Sequence, residues 1–560
     1  MAENPQDRAE TRAEAPAHTD APPRSGTENR RARLLPHREA VRPLLALASL
    51  VPLALAVGAL ATSPPPAPAP VERAAAQSEP GASTRWCPGP LQLPDEALET
   101  GPDEELAVTP PNPAVSLRTV AVEPASSLLF GTVSGSSTLQ EDDGSVRAPS
   151  ITVEGADGAV LEDAPASQDL GISVLGMTGV EDVPHTTSAT SEGARPLTDT
   201  LQSTSTATGD YRSLSLTRCA EPATEASFLG ISTATGDSAA LVLRNPTERP
   251  ATASVQLWTP DGPAAMEGRS QVVVAPGEEQ RVLLESVAPG QDAVGVSVAV
   301  LGSPLSMSVQ TTEREGLTPG GAEMLAPLPA AGTELLMPGV DVAGTAPTLV
   351  LANPQGGPAT ADVEVLGPDG PVEAAAVEAI DLPSGTVVST PLDGLPEGTY
   401  AVRVQADAPV TAVTRSERTG SDLPGDTLGA PVDFTLVAPA PEIGTDAVSA
   451  LPAPAAAGEL TLTGTAESAV TVIPMAADGS AGEPLTVDVP AGATETLTSE
   501  QLQIGGDSAA GLTLVPEVPG AVHAGWTQRE SDGTDVALLS SFPVLSQHGG
   551  EDSVTVRRAP

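Results

Sequence analysis

The stretch LVLRNPTERPATASVQLWTPDGP (Leu241–Pro263) lies over LVLANPQGGPATADVEVLGPDGP (Leu349–Pro371) at an offset of 108 residues. Fourteen of the twenty-three positions are identical, in order and without a gap. Self-similarity at a fixed period is the signature of a repeat. Downstream the match weakens but keeps its order. VVVAPGEEQRVLL (Val272–Leu284) answers AIDLPSGTVVSTPL (Ala379–Leu392), and PLSMSVQTTER (Pro304–Arg314) answers PVTAVTRSER (Pro409–Arg418). A more worn third copy begins at ELTLTGTAESAVTVIPMAADGS (Glu459–Ser480) and runs through TVDVPAG (Thr486–Gly492) to PGAVHAGWTQRE (Pro519–Glu530). Each unit spans about 105–110 residues, an ordinary domain size.

The apolar runs within a unit are short. SVQLW, QVVVA, GVSVAV, DVEVL, YAVRVQ and LTLTG alternate or are rich in β-branched residues, which reads as strand. Asn-Pro, Asp-Gly, Pro-Gly and Pro-Ser-Gly between them are turn chemistry. Asp-Gly suits hairpin positions that need positive φ. No capped helical segment follows residue 62. The expectation is a mainly β chain of tandem immunoglobulin-like antiparallel sandwiches, which fits better than a barrel. With four Phe, two Tyr and three Trp in 560 residues, the cores must rest on Val, Leu, Ile and Ala. Each repeat is therefore expected to be marginal alone and to lean on its neighbours.

The first forty residues are polar and Pro-rich and cannot bury a core. LLALASLVPLALAVGALAT (Leu44–Thr62) is uncharged and about long enough to cross a bilayer. Arg30, Arg31, Arg33, Arg38 and Arg42 precede it, which puts the N-terminus in the cytoplasm and the bulk outside. A cleaved signal peptide is the competing reading, with Ala59–Ala61 as cleavage site; the long leading segment favours an uncleaved anchor. Ser63–Ser83 reads as a Pro/Ala spacer.

The formal net charge is −47, and every base is Arg. Beyond Arg42 the chain carries 18 bases against 66 acids, so nucleic acid is excluded as a partner. Cys87 and Cys219 are the only cysteines. In an exported chain such a pair forms one disulfide, worth about 4–5 kcal/mol in the chain-entropy account. It would close an N-terminal domain that lacks a good copy of the repeated block.

No reaction can be read from the motifs. His18, His37, His185, His523 and His548 have no metal-ligand spacing, and no nucleophile elbow or phosphate loop occurs. Glu141–Ser145 (EDDGS) and the Asp-Gly turns lack the spaced oxygens of a calcium loop. No catalytic residue, metal site or cofactor is therefore expected. Trp258 aligns with Leu366 and reads as a sheet-face residue. Trp526, with Gln528 and Arg529 beside it, is the best-placed group to stack on a sugar, although packing in a core or interface is the commoner fate of such a tryptophan.

WCPGPL, RCAEPATEASFLG and the repeated block, behind an apolar anchor, resemble an uncharacterised actinobacterial family of anchored envelope proteins that carries a domain-of-unknown-function label. The resemblance implies export and envelope location, and supplies no catalytic residues. The expected organisation is a disordered cytoplasmic segment 1–42, a membrane helix 43–62, a spacer 63–83, and a disulfide-closed β domain 84–222. Sandwich repeats at 223–330, 331–440 and 441–545 and a flexible tail 546–560 follow. The expected function is that of a non-enzymatic, single-pass envelope scaffold, spacer or accessory subunit, with other envelope proteins as partners. The alternatives are a glycan-binding module assisting wall or polysaccharide assembly and, behind it, an exported hydrolase.

Overall fold

The computed structural model describes residues 82–92, 113–134 and 147–546, the last range with short breaks at 156–157, 181–184, 192–194, 210, 267–269, 317, 374–375, 423–428, 454, 456 and 531–536. The expected cytoplasmic segment, membrane helix, nearly all of the spacer, Glu141–Ser145, the tail beyond Ser546, and His18, His37 and His548 lie outside the described residues. Among the described residues no helix is long and apolar enough to cross a membrane. The chain divides into two units, Met1–Ala75, which lies outside the described residues, and the compact Ala76–Pro560. Every element below belongs to the second.

The strands fall into four consecutive sets. The N-terminal set is β1 (Ser83–Trp86), β2 (Ala114–Val122), β3 (Ser150–Glu154), β4 (Val160–Asp163), β5 (Ala166–Ser167), β6 (Ile172–Thr178), β7 (Thr186–Thr190), β8 (Leu197–Thr206) and β9 (Ser213–Arg218). The next set, sandwich 1, is β10 (Glu225–Ile231), β11 (Ser238–Arg244), β12 (Ala251–Thr259), β13 (Gly262–Pro263), β14 (Gln271–Val274), β15 (Glu279–Leu283), β16 (Val294–Gly302), β17 (Ser306–Glu315) and β18 (Thr318–Leu325). Sandwich 2 holds β19 (Gly332–Val342), β20 (Thr348–Ala352), β21 (Ala359–Gly367), β22 (Gly370–Pro371), β23 (Val377–Leu382), β24 (Val387–Pro391), β25 (Gly398–Thr419) and β26 (Val432–Val437). Sandwich 3 holds β27 (Ala447–Ala450), β28 (Gly458–Gly464), β29 (Ser468–Met475), β30 (Leu485–Val489), β31 (Thr494–Thr498), β32 (Gly511–Pro516), β33 (Val522–Glu530) and β34 (Leu538–Pro543).

Leaving aside the two-residue strands, all four sets share one strand order. The first sheet runs β1-β7-β3-β4, and the same positions recur as β10-β16-β12-β14 and β27-β32-β29-β30. The second runs β6-β2-β8-β9, β15-β11-β17-β18 and β31-β28-β33-β34. In sandwich 2 the sixth and seventh strands are the single 22-residue β25. Its first half pairs with β19 and β21 and its second half with β20 and β26, so one strand passes from sheet to sheet. The N-terminal domain is thus a fourth copy of the fold, although its sequence carries no good copy of the repeated block.

Alternation builds the cores. In β16, Val294, Val296 and Val298 point inward at 0–1% exposure, while Leu301 near its end stands 73% exposed. Sandwiches 1 and 2 each close on one apolar cluster drawn from both sheets. The repeated Asn-Pro has a specific task. Asn245 Nδ2 donates to the carbonyls of Arg249 (2.7 Å) and Val274 (3.0 Å), and its Oδ1 accepts from Thr247 N. Asn353 makes the same three bonds, to Gly357 O, Leu382 O and from Gln355 N. Each Asn caps a loop whose backbone groups would otherwise be buried without partners.

The Asp-Gly turn is a joint between sandwiches. Gly262 and Gly370 hold φ of 117° and 104°, a region that favours glycine. Thr259, beside the first turn, bridges in parallel to Thr386 of sandwich 2. A Cβ on Gly370 would lie 3.9 Å from Gly492 O of sandwich 3, and one on Gly479 would lie 3.0 Å from Ser167 N of the N-terminal set. The first two turns meet the next sandwich, and the last turn meets the first domain.

Candidate functional site

The last strand of each sandwich is the free edge of its second sheet. An edge exposes unpaired N–H and C=O groups that must be covered. Here β9, β18, β26 and β34 cover one another: β9 meets β18, β18 meets β26, β26 meets β34, and β34 returns to β9. Side chains, not ladder bonds, cap the spare amides. Asp433 Oδ2 on β26 accepts from Leu214 N and Leu539 N, both at 3.0 Å. Ser540 Oγ accepts from Leu216 N at 2.9 Å, Ser215 Oγ from Met324 N at 2.9 Å, and Thr435 Oγ1 from Ser541 N at 3.0 Å.

Glu323 on β18 completes the knot. Ser215 Oγ donates to its Oε2 (2.9 Å) and Ser540 Oγ to its Oε1 (2.8 Å), so one carboxyl joins three sandwiches. Burial pushes the Glu323 carboxyl well above the usual range, nearby Asp433 adds to the effect, and the two serine bonds oppose it. Burial does the same to Asp433, against the amide bonds and the charge of Arg415. Gly321 lets β18 and β26 approach: at φ 97°, a Cβ there would sit 2.7 Å from Asp433 Oδ1.

Beside the knot lies a cavity of about 420 Å³. Leu216, Phe228, Met324, Leu436 and Phe542 wall it, so all four sandwiches contribute. Cys219 lies in the same wall, and its disulfide to Cys87 spans a sequence separation of 132. Two guanidinium groups and the carboxyls of Glu221 and Glu323 also line it. Arg218 Nη2 stands 2.5 Å from Asp199 Oδ1 and its Nη1 donates to Pro543 O at 3.2 Å. Arg85 Nη2 donates to Thr198 O at 2.9 Å. Among the described residues the Nε of Arg85 and the Nε of Arg218 have no acceptor, although both atoms are buried.

The sequence-chosen ligand residues lie elsewhere. Trp526 is 1% exposed, so neither ring face is open to a sugar. Its Nε1 donates to Gln528 Oε1 at 3.2 Å, and Gln528 is itself fully buried. A tryptophan fits there because its neighbour on β28 is Gly458; a Cβ would lie 2.0 Å from the indole. Arg529 clamps sandwich 3 to sandwich 2 by donating to Asp341 (2.8 and 3.0 Å), Glu459 (2.7 Å) and Thr399 (2.9 Å). Trp258 faces sandwich 2, packed with Val350, Val387 and Phe434. His523 is buried, with Nδ1 2.8 Å from Ala440 O, and burial lowers its pKa. No group of three or more metal-ligating side chains occurs among the described residues.

Sequence reasoning missed Glu323, Asp433 and the cavity. The available signal was polar alternation in SLSLTR, AEML, VDFTLV and LLSSFP, which otherwise reads as a solvent-facing strand.

No curated protein matches the sequence. Among solved structures, a chain from work on host-cell-surface retention of a 1.5-MDa bacterial ice-binding adhesin is 12% identical. The match covers 58% of this chain and 99% of that one, with a TM-score of 0.09, too low to carry an argument. A family model described as a family of unknown function, DUF5719, matches residues 174–500, from β6 through sandwich 2 and into sandwich 3. That is more than half of the sequence, and the chain belongs to this family.

Proposed function

We propose that the protein is a non-enzymatic envelope scaffold or accessory subunit, held outside the membrane by Leu44–Thr62, whose sandwiches are immunoglobulin-like in their two-layer plan. One observation carries the reading: the buried polar side chains act as ties between sandwiches. Glu323, Asp433, Asp341 and Arg529 each join two or more of them. Groups committed in this way serve rigidity, and none is left paired as nucleophile and base. The Cys87–Cys219 bridge supports an oxidising compartment. The acidity supports solubility and argues against nucleic acid. The glycan-binding alternative loses its platform with Trp526 buried.

The test is protease accessibility in intact cells with a tag after Pro560. The proposal expects outside protease to remove the tag and the sandwiches while leaving a cytoplasmic marker intact. Digestion only after lysis would refute it. Crosslinking in the intact envelope then identifies partners.

A further inference from the structure

We propose that the four-sandwich cavity binds a single-tailed amphiphile with an oxyanion head, the tail lying among Leu216, Phe228, Met324 and Phe542 and the head against Arg85 and Arg218. Three observations converge. The wall is mostly apolar, and about 420 Å³ lies within the range of small-molecule sites. Such sites pair an apolar body with a few fixed polar groups, and here those groups include the two guanidiniums alongside Glu221, Glu323, Thr435 and Ser541.

The second observation is the unmet donors. A buried N–H without an acceptor is costly, and each one calls for a reason. Arg218 is only 6% exposed, yet its Nε finds no acceptor among the described residues, and neither does that of Arg85. Guanidinium forks match carboxylate and phosphate oxygens.

The third observation is local charge. In a chain of net charge −47, this wall holds the guanidiniums of Arg85 and Arg218 beside the carboxyl groups of Glu221 and Glu323, and Arg218 is also paired with Asp199. Glu221 at the rim is already paired with Arg195. Both oxygens of Glu323 are engaged by Ser215 and Ser540, and burial shifts its carboxyl toward the neutral form. Glu221 and Pro329 line the cavity and are solvent-exposed, which opens one side to an entering ligand.

The experiment uses the full-length chain in phosphatidylcholine nanodiscs, photolabelled with a diazirine-bearing palmitate and mapped by mass spectrometry. Labelling is expected in segments 216–221, 323–329, 435–439 and 541–545. Excess palmitate or hexadecyl phosphate should suppress it, and hexadecanol should compete about tenfold less well, the worth of a charge-assisted bond. Leu328→Trp, which fills the cavity from a half-buried position, should abolish labelling, and Arg85→Gln should bring palmitate to the level of hexadecanol. Ala326→Trp repeats the filling test should Leu328→Trp not fold. Labelling elsewhere, labelling that survives cavity filling in a folded variant, or equal competition by hexadecanol would overturn the proposal.

Discussion

Sandwich 1 and the N-terminal sandwich share a strand order but are held together differently. Sandwich 1 closes on its own apolar core, from Phe228 and Leu241 through Val255 and Val296 to Val309. The N-terminal sandwich has a smaller private core. Much of its inner face is polar: Thr119 and Thr187 both bond Thr200 at 3.0 Å, and Gln202 bonds the backbone of Gly89. Its other face carries Val120, Val122, Ile172, Val174, Leu201 and Leu214, which merge with sandwich 3 into one continuous cluster around Leu460, Val472 and Trp526. Identical topology therefore does not mean equal independence. A disulfide and a partner some 250 residues downstream, exemplified by the Ala450 N to Asp199 Oδ2 bond, supplement the smaller core.

The comparison breaks most sharply at Trp526. Trp526→Ala should cost about 3–5 kcal/mol, the usual loss for a buried aromatic. Urea unfolding of the full-length chain should show sandwich 3 and the N-terminal sandwich destabilised together, with sandwich 1 unchanged. Removing the bridge with Cys87→Ser and Cys219→Ser should cost about 2–5 kcal/mol. Amide exchange should quicken in 84–222 and least in 331–440. Gly321→Ala should cost about 1–3 kcal/mol, because an L-residue is strained at that φ and its Cβ meets Asp433. Loss there should appear as loosening between β18 and β26, with both cores retained.

The smallest effect sharpens the role of the polar knot. Glu323 and Asp433 have folded pKa values raised above their ordinary 4.5 and 3.8. Their contribution to stability is fully present below those ordinary values and is lost as pH rises through the folded values. The urea midpoint should therefore be higher at pH 5 than at pH 8. Glu323→Gln should flatten that slope while keeping an acceptor for Ser215 and Ser540. An unchanged slope would remove Glu323 from the account.

The repeat was legible because turn chemistry leaves strong local marks. Asn245, Asn353 and the Pro-Asp-Gly-Pro turns recur where backbone groups must be capped or φ must be positive. The disulfide was legible because only two cysteines exist. The shared topology of the N-terminal sandwich was not, since the same strands form there from Thr- and Ser-rich segments such as LTDTLQSTST. Nor was the junction. A carboxylate on an edge strand looks solvent-facing until another edge covers it, and the edges that cover Glu323 come from 108 and 217 residues away. Trp526 has the commoner fate of such a tryptophan, packing in a core, and its polar neighbourhood in sequence, Gln528 and Arg529, forms a buried hydrogen bond and an intersandwich clamp.

Hydrogen exchange followed through a urea titration of the intact chain tests most directly the claim that the first and last sandwiches form one cooperative unit. Residues 84–222 and 441–545 are expected to lose protection at a single urea concentration, distinct from that of 223–330. Protection persisting in 441–545 after 84–222 has exchanged would contradict the account.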